Sequence, residues 1–120
     1  MRLLLLRNFP KPVRLLILGE LLLLVLFGIG FWVLWQRLPA DGVKLHANID
    51  TGVDLLGTRA EFGWLAGIVA ALIAGNTLLA AWLRSSQPAA AAMLLGATIP
   101  LLVGFLGVLL FIARLNLQLP

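Results

Sequence analysis

The chain contains no cysteine and one histidine, and only fourteen of its 120 residues are charged, nine Lys or Arg and five Asp or Glu. Without cysteine there is no disulfide, no thiolate metal ligand and no cysteine nucleophile, and a single histidine excludes a multi-histidine metal cluster. Soluble domains carry about 25% charged residues, whereas this chain carries 12%. We therefore expect neither an enzyme nor a metal site.

Hydrophobic residues are what the chain has instead, at 62% of the total, against about 45–50% in soluble domains. A soluble fold of this size would bury only about 65–70% of its surface and leave large apolar patches in water. The net charge of +4 does not indicate nucleic acid, because the basic residues flank hydrophobic segments instead of forming a patch. The composition predicts an integral membrane protein with no nucleic-acid partner and no soluble small-molecule substrate.

Three apolar segments predict one all-α membrane domain over residues 1–120, with three transmembrane helices. The first segment, about 13–36, has an apolar core of roughly 20 residues, which as a helix crosses about 30 Å of hydrocarbon. The others are about 62–84 and about 89–113. The first segment is longer than the apolar core of a secretory signal and lacks a small-x-small cleavage site, so we expect it to remain as an anchor.

The basic residues predict an orientation in the membrane. Four of the nine lie within the first fourteen positions, and Arg84 lies in the turn between the second and third segments. Because cytoplasmic flanks are enriched in Lys and Arg, we expect the N-terminus in the cytoplasm and the C-terminus outside. The loop at 37–61, with three basic and four acidic residues, is then extracytoplasmic.

Small residues recur at four-residue intervals in the second and third segments. In lipid, helices gain little from apolar burial against each other, so close backbone approach along such faces favours helix contact. We expect these faces to pack against helices of this chain or of a partner. The predicted packing residues are Gly63, Gly67, Ala71, Gly75, Ala92, Gly96 and Gly104.

Three polar residues lie inside the apolar segments. Glu20 is about seven residues into the first, Asn76 lies at a similar depth in the second, and Thr98 is slightly deeper in the third. Ionisable groups at such depths are costly and need a partner, and we favour Asn76 as the partner of Glu20. Hydrogen-bonded contact between helices is the favoured role, and ion or proton chemistry is the alternative.

The loop carries one arrangement that resembles a metal site. His46, Asp50 and Asp54 are spaced by four and would share one face of a helix. Gly52 and the turn-forming surroundings disfavour a helix there. We therefore predict a solvated loop and no metal.

The same loop contains Leu38-Pro39, Val43, Leu45-His46-x-Asn48 and Gly52-Val53-Asp54-x-x-Gly57. This pattern resembles the LP…HxN…G…D…G signature of the DUF1648 group, small bacterial membrane proteins and the N-terminal part of SdpI-like immunity and signalling proteins. Lys44 and Ala47 stand where the group usually has a proline and an aromatic residue. The resemblance implies a bacterial inner-membrane protein with an extracytoplasmic loop. Its loop motif comprises His46, Asn48, Gly52, Asp54 and Gly57.

Three functions fit these observations. The first is a non-catalytic accessory subunit of a larger membrane complex, with other membrane subunits and lipid as partners. The second, from the resemblance, is an SdpI-like immunity or signal-relay protein. The third is a small oligomeric transporter with Glu20 and Asn76 lining its pore. We predict no cofactor and leave a bound lipid or pigment open.

Overall fold

The computed structural model describes residues 10–48 and 52–117, and at 46–48 and 52–55 it describes the backbone only. This part of the chain is mostly helical, about 50 Å long, and has three helices long and apolar enough to cross a membrane, as predicted. Its elements are α1 (Lys11–Arg37), β1 (Val43–Asn48), β2 (Gly52–Gly57), α2 (Arg59–Leu83) and α3 (Pro88–Leu117).

Proline and capping residues set the helix ends. Pro12 lies in the first turn of α1, where a missing N–H costs little, and α1 ends where Leu38 becomes extended, as residues before a proline prefer. Thr58 and Glu61 form a capping box at the start of α2. The helix α3 is assigned without interruption through Pro100 and ends four residues beyond its predicted end.

The predicted loop contains a β-hairpin, which the all-α prediction did not include. Strands β1 and β2 pair antiparallel, with Val43 opposite Gly57 and irregularities on both sides of His46. Gly42 enters the hairpin with φ +70°, a conformation that glycine adopts without strain. Val43 is fully buried, so the hairpin has an inner face that packs against the bundle. This contact with the bundle explains why the segment is ordered into strands.

The third helix lies between the other two. Helix α3 packs against both α1 and α2, whereas the backbones of α1 and α2 come close to each other at few positions. Strand β1 packs against the C-terminal part of α3. The main core is made of large apolar side chains from all three helices and the hairpin. It includes Phe27, Leu34, Val43, Phe62, Val69, Leu102, Leu109 and Ile112.

Candidate functional site

Glu20 is buried in the half of the bundle remote from the hairpin, with 6% of its surface exposed. The Oγ1 of Thr77 on α2 donates a hydrogen bond of 3.3 Å to its Oε1. Glu20 therefore faces another helix, as expected, but the choice of Asn76 as its partner was wrong by one residue. This bond links α1 and α2 directly.

Asn76 and Thr98 do not join Glu20 in a common network. The Nδ2 of Asn76 donates to the backbone oxygen of Leu94 on α3 at 2.5 Å. Thr98, which is 1% exposed, donates to the backbone oxygen of Leu95 in its own helix at 2.6 Å. The three polar residues thus serve separate contacts, α1 to α2, α2 to α3, and within α3. Hydrogen bonds between membrane helices fix their register.

The small residues in the middle of α2 lie on its exposed side. A Cβ built on Gly67 or Gly75 meets no heavy atom of the described residues within 4 Å, and Ala71 between them is exposed. The prediction that these residues contact another helix is therefore not met within the described chain, and contact with a partner stays a prediction. Phe62 and Val69, both 1% exposed, fill the space against the other helices and turn the small residues outward.

A groove of about 520 Å³ runs beside this small-residue face, between α2 and α3. We call it the α2–α3 groove. Its walls are apolar except for the side chains of Asn76 and Thr98. It is lined by Ala71, Leu72, Gly75, Asn76, Leu79, Ala97, Thr98 and Leu101.

The small residues of α3 are divided between a contact and an exposed surface. Ala92 and Gly96 are half-buried, and a Cβ on Gly96 would lie 4.0 Å from Cδ1 of Leu16 on α1. Gly96 thus faces α1, in agreement with the packing prediction. Gly104 is exposed, and a Cβ there would meet no atom of the described residues within 4 Å.

Gly63 differs from the other glycines of α2 because an aromatic side chain covers it. A Cβ at this position would lie 3.0 Å from Cζ3 of Trp35, so the absence of a side chain lets the indole approach. Trp35 also stacks on Phe31 at 5.8 Å between ring centroids, and Phe31 stacks on Phe62 at 4.8 Å. Gly63 is therefore an interhelical contact residue, as predicted, although its neighbour is a side chain.

A second groove, of about 260 Å³, opens between α1 and α2 next to these rings. We call it the α1–α2 groove. Its lining residues are Phe31, Trp32, Trp35, Gly63 and Ala66. The guanidinium carbon of Arg59 lies 5.2 Å from the centroid of the Trp35 ring, a cation–π geometry. A positive charge therefore stands beside one of the groove walls.

The loop motif residues lie on the two strands and not on a helix. His46 and Asn48 belong to β1 and Gly52 and Asp54 to β2, whereas Asp50 and the side chains of 46–48 and 52–55 lie outside what the structure describes. The four-residue spacing of the acidic residues and the histidine therefore does not create a common helix face. Among the described residues, no group of three His, Asp or Glu side chains could hold a metal.

Gly57, the last motif residue, lies where the hairpin meets α2. The backbone N–H of Thr58 donates to Oε2 of Glu61 at 2.7 Å, and the N–H of Glu61 donates to Oγ1 of Thr58 at 3.2 Å. A Cβ on Gly57 would overlap this carboxylate and would lie 2.5 Å from Cδ1 of Leu45. A larger residue here would force the capping carboxylate of Glu61 and the side chain of Leu45 to shift, a structural reason for the presence of glycine.

Asn116, near the end of α3, is a contact residue that the sequence analysis did not single out. Its Oδ1 accepts from the N–H of Lys44 and its Nδ2 donates to the carbonyl of Lys44, both at 2.8 Å. The side chain therefore binds the outer edge of β1 as a neighbouring strand would. The sequence feature that could have indicated this contact is an amide side chain in the last turn of an otherwise apolar helix.

The outer surface of the three helices is apolar. Trp32 and Trp64 are 64% and 72% exposed in the half of the bundle that carries the hairpin, and Trp82 is 76% exposed in the other half. Exposed tryptophans near both ends of apolar helices are typical of the two membrane interfaces, and so continuous an apolar surface is foreign to soluble monomers. No protein-family model matches the sequence, and no curated protein or solved structure shows significant similarity to it.

Proposed function

We propose that the chain is a non-catalytic accessory subunit of a protein complex in the bacterial inner membrane, with its N-terminus in the cytoplasm and its hairpin and C-terminus outside. The apolar outer surface and the three helices of sufficient length support the membrane location. The observation that carries the assignment to a complex is the exposed small-residue face of α2, formed by Gly67, Ala71 and Gly75.

A partner helix explains this face better than lipid does. Leucine in the middle of a membrane helix favours insertion by about 0.3–0.6 kcal/mol per residue, and glycine lowers helix stability by about 1 kcal/mol relative to alanine. Glycines on a lipid-facing surface therefore lower the stability of the helix without gaining a contact that compensates for it. Against a second helix, the same glycines let the two backbones approach closely.

The α2–α3 groove continues this face and offers a polar anchor. Asn76 lines the groove and uses its Nδ2 to bind α3, but its Oδ1 accepts no hydrogen bond from a described residue. A serine, threonine or amide on the partner helix can donate to this oxygen, and such bonds are worth about 0.6–2 kcal/mol in membranes. Close packing and one hydrogen bond together define a specific docking position.

The test compares the protein with Gly67→Leu and Gly75→Leu after extraction in mild detergent. On a native gel we expect the wild type to migrate in a discrete complex well above the 13.0 kDa chain, and both variants to leave it. Gly28→Leu is the matched control, because Gly28 on α1 is also exposed and without neighbours among the described residues within 4 Å. Unchanged migration of both α2 variants would contradict the proposal.

The second candidate is an immunity or signal-relay protein of the SdpI-like kind that the loop resembles. The observation that favours it is the hairpin, which the bundle holds through Asn116 and which presents the motif strands at one end of the bundle. Such a protein would migrate near the mass of one chain or a small homo-oligomer in detergent. The same native gel therefore separates the two functions.

A further inference from the structure

We infer that the α1–α2 groove binds one acyl chain of a phospholipid, with the lipid phosphate against Arg59. The inference depends on the membrane location proposed above but not on the partner helix, since that helix would occupy the other groove. Three features of the groove support it. A row of residues on α2 leads from a cation into the apolar groove, that cation has no anionic partner among the described residues, and exposed tryptophans lie beside the groove.

The row consists of Arg59, Gly63 and Ala66, which follow one another on α2 at spacings of four and three. Residues at these spacings share one face of a helix. The cation thus lies at the N-terminal end of the row, and the two small residues follow about 6 and 10 Å deeper. Gly63 lets the Trp35 indole approach α2, and the small side chain of Ala66 leaves the groove open beside Phe31 and Trp32.

Among the described residues Arg59 has no ion pair and no side-chain hydrogen bond, and its guanidinium lies over the Trp35 ring. The carboxylate of Glu61, two residues on, is engaged in the helix cap and belongs to another face of α2. The guanidinium over the Trp35 ring carries N–H donors that can bind phosphate oxygens in a bidentate manner. The charge of Arg59 therefore complements a lipid phosphate.

The size and depth of the groove suit an acyl chain. Sites for whole small molecules usually enclose about 300–1,000 Å³, and this groove, at about 260 Å³, is large enough for only part of a lipid. Trp32 in its wall is 64% exposed, and Trp64 nearby on α2 is 72% exposed. Because tryptophans concentrate at the headgroup level, the cation lies where lipid phosphates lie.

The test titrates the purified protein in detergent with dioleoyl phosphatidylglycerol and counts bound lipids by native mass spectrometry. For Arg59→Gln we expect the Kd of the tightest site to rise about tenfold, as for loss of one charge-assisted contact. Arg59→Lys keeps the charge and should recover part of the affinity. Arg114→Gln is the control, since Arg114 is exposed near the end of α3 and lines neither groove.

A second pair of variants tests the channel itself. Ala66→Leu should fill the groove and weaken lipid binding. Gly107→Leu, at an exposed position of α3 with no heavy atom of the described residues within 4 Å of a new Cβ and away from this groove, should leave it unchanged. Circular dichroism checks that each variant keeps its helix content. Absence of a tight lipid site in the wild type, equal effects of Arg59→Gln and Arg114→Gln, or full binding by Ala66→Leu would overturn the inference. The native-gel mass of the complex reports separately on the proposed function.

Discussion

The side chain of Asn116 holds the backbone of Lys44 by two hydrogen bonds of 2.8 Å, across 72 positions of sequence. The same Nδ2 also donates to the carbonyl of Ile112 one turn earlier in α3, which fixes the amide relative to its helix. One amide thus binds both the N–H and the C=O of Lys44 on the outer edge of β1 and links the end of α3 to the hairpin. Unpaired groups at this strand edge would otherwise need water or another strand.

We expect Asn116→Leu to remove both hydrogen bonds to the backbone of Lys44. Loss of hydrogen bonds at a partly buried backbone position costs about 1–3 kcal/mol, and the amide of Lys44 should exchange with deuterium faster as a result. Gln36→Leu is the control, because Gln36 is an exposed polar residue near the end of α1 and should leave the exchange at Lys44 unchanged. Equal exchange in the wild type and Asn116→Leu would show that the amide does not hold the hairpin.

The Glu20–Thr77 bond predicts energetic coupling between α1 and α2. Interhelical bonds in membranes average about 0.6 kcal/mol and reach about 1.7 kcal/mol in double-mutant cycles. Unfolding in dodecyl sulfate of Glu20→Leu, Thr77→Val and the double variant should therefore reveal a coupling energy in this range. Glu20→Gln should keep most of the stability, because the amide oxygen still accepts from Thr77. Strictly additive effects of the two single variants on stability would show that the side chains of Glu20 and Thr77 are not energetically coupled.

Gly63→Ala should disturb the aromatic contact between α1 and α2. The new Cβ would lie 3.0 Å from Cζ3 of Trp35, closer than van der Waals contact, and overpacking of this kind costs about 1–3 kcal/mol. The near-ultraviolet dichroism of the stacked rings should change and the midpoint of thermal unfolding should fall. Gly28→Ala, which has open space around it among the described residues, should leave the aromatic spectrum unchanged and should not lower the midpoint, because alanine favours a helix more than glycine does. An unaltered aromatic spectrum in Gly63→Ala would be the contrary result.

The orientation of the chain can be measured with single cysteines, because the natural chain has none. In spheroplasts, a membrane-impermeant maleimide should label Asp41→Cys beside the hairpin, and should label Ser86→Cys only after permeabilisation. Both positions are exposed in the structure, so access depends on the membrane. The reverse pattern would invert the proposed orientation, and labelling of both sites before permeabilisation would contradict a membrane-spanning bundle.

The helices were predictable because the bilayer makes length and apolarity sufficient signals. Each apolar run long enough to cross hydrocarbon is a helix in the structure, and prolines and basic residues mark the ends. The depth of Glu20 in its apolar segment could also be predicted, since it follows from counting residues along one helix. Its partner was not, because the choice between Asn76 and Thr77 depends on the rotation of α2, which the packing of Phe62 and Val69 determines.

The hairpin and the outward direction of the small residues could not be predicted in the same way. The loop pattern does not alternate cleanly, and the strands depend on Val43 packing against the bundle and on Asn116, far away in sequence. The glycine spacing of α2 indicates a face suited to close contact but not which helix meets it. Within the described chain Phe62, Val69 and Ile73 take the inner positions of this part of α2, and Gly67, Ala71 and Gly75 lie outside.

The position of α3 between α1 and α2 has a consequence for biosynthesis. Translation delivers α1 and α2 first, and their backbones come close at few positions. The nascent pair can form the aromatic contacts of Phe31 and Trp35 with Phe62 but lacks the contacts of both helices with α3. Leu102 and Leu109, which are buried against them, reach the translocon last. A chain interrupted in the turn at 84–87 therefore remains unpacked, and its loosely associated helices are accessible to membrane proteases that would not degrade the finished bundle.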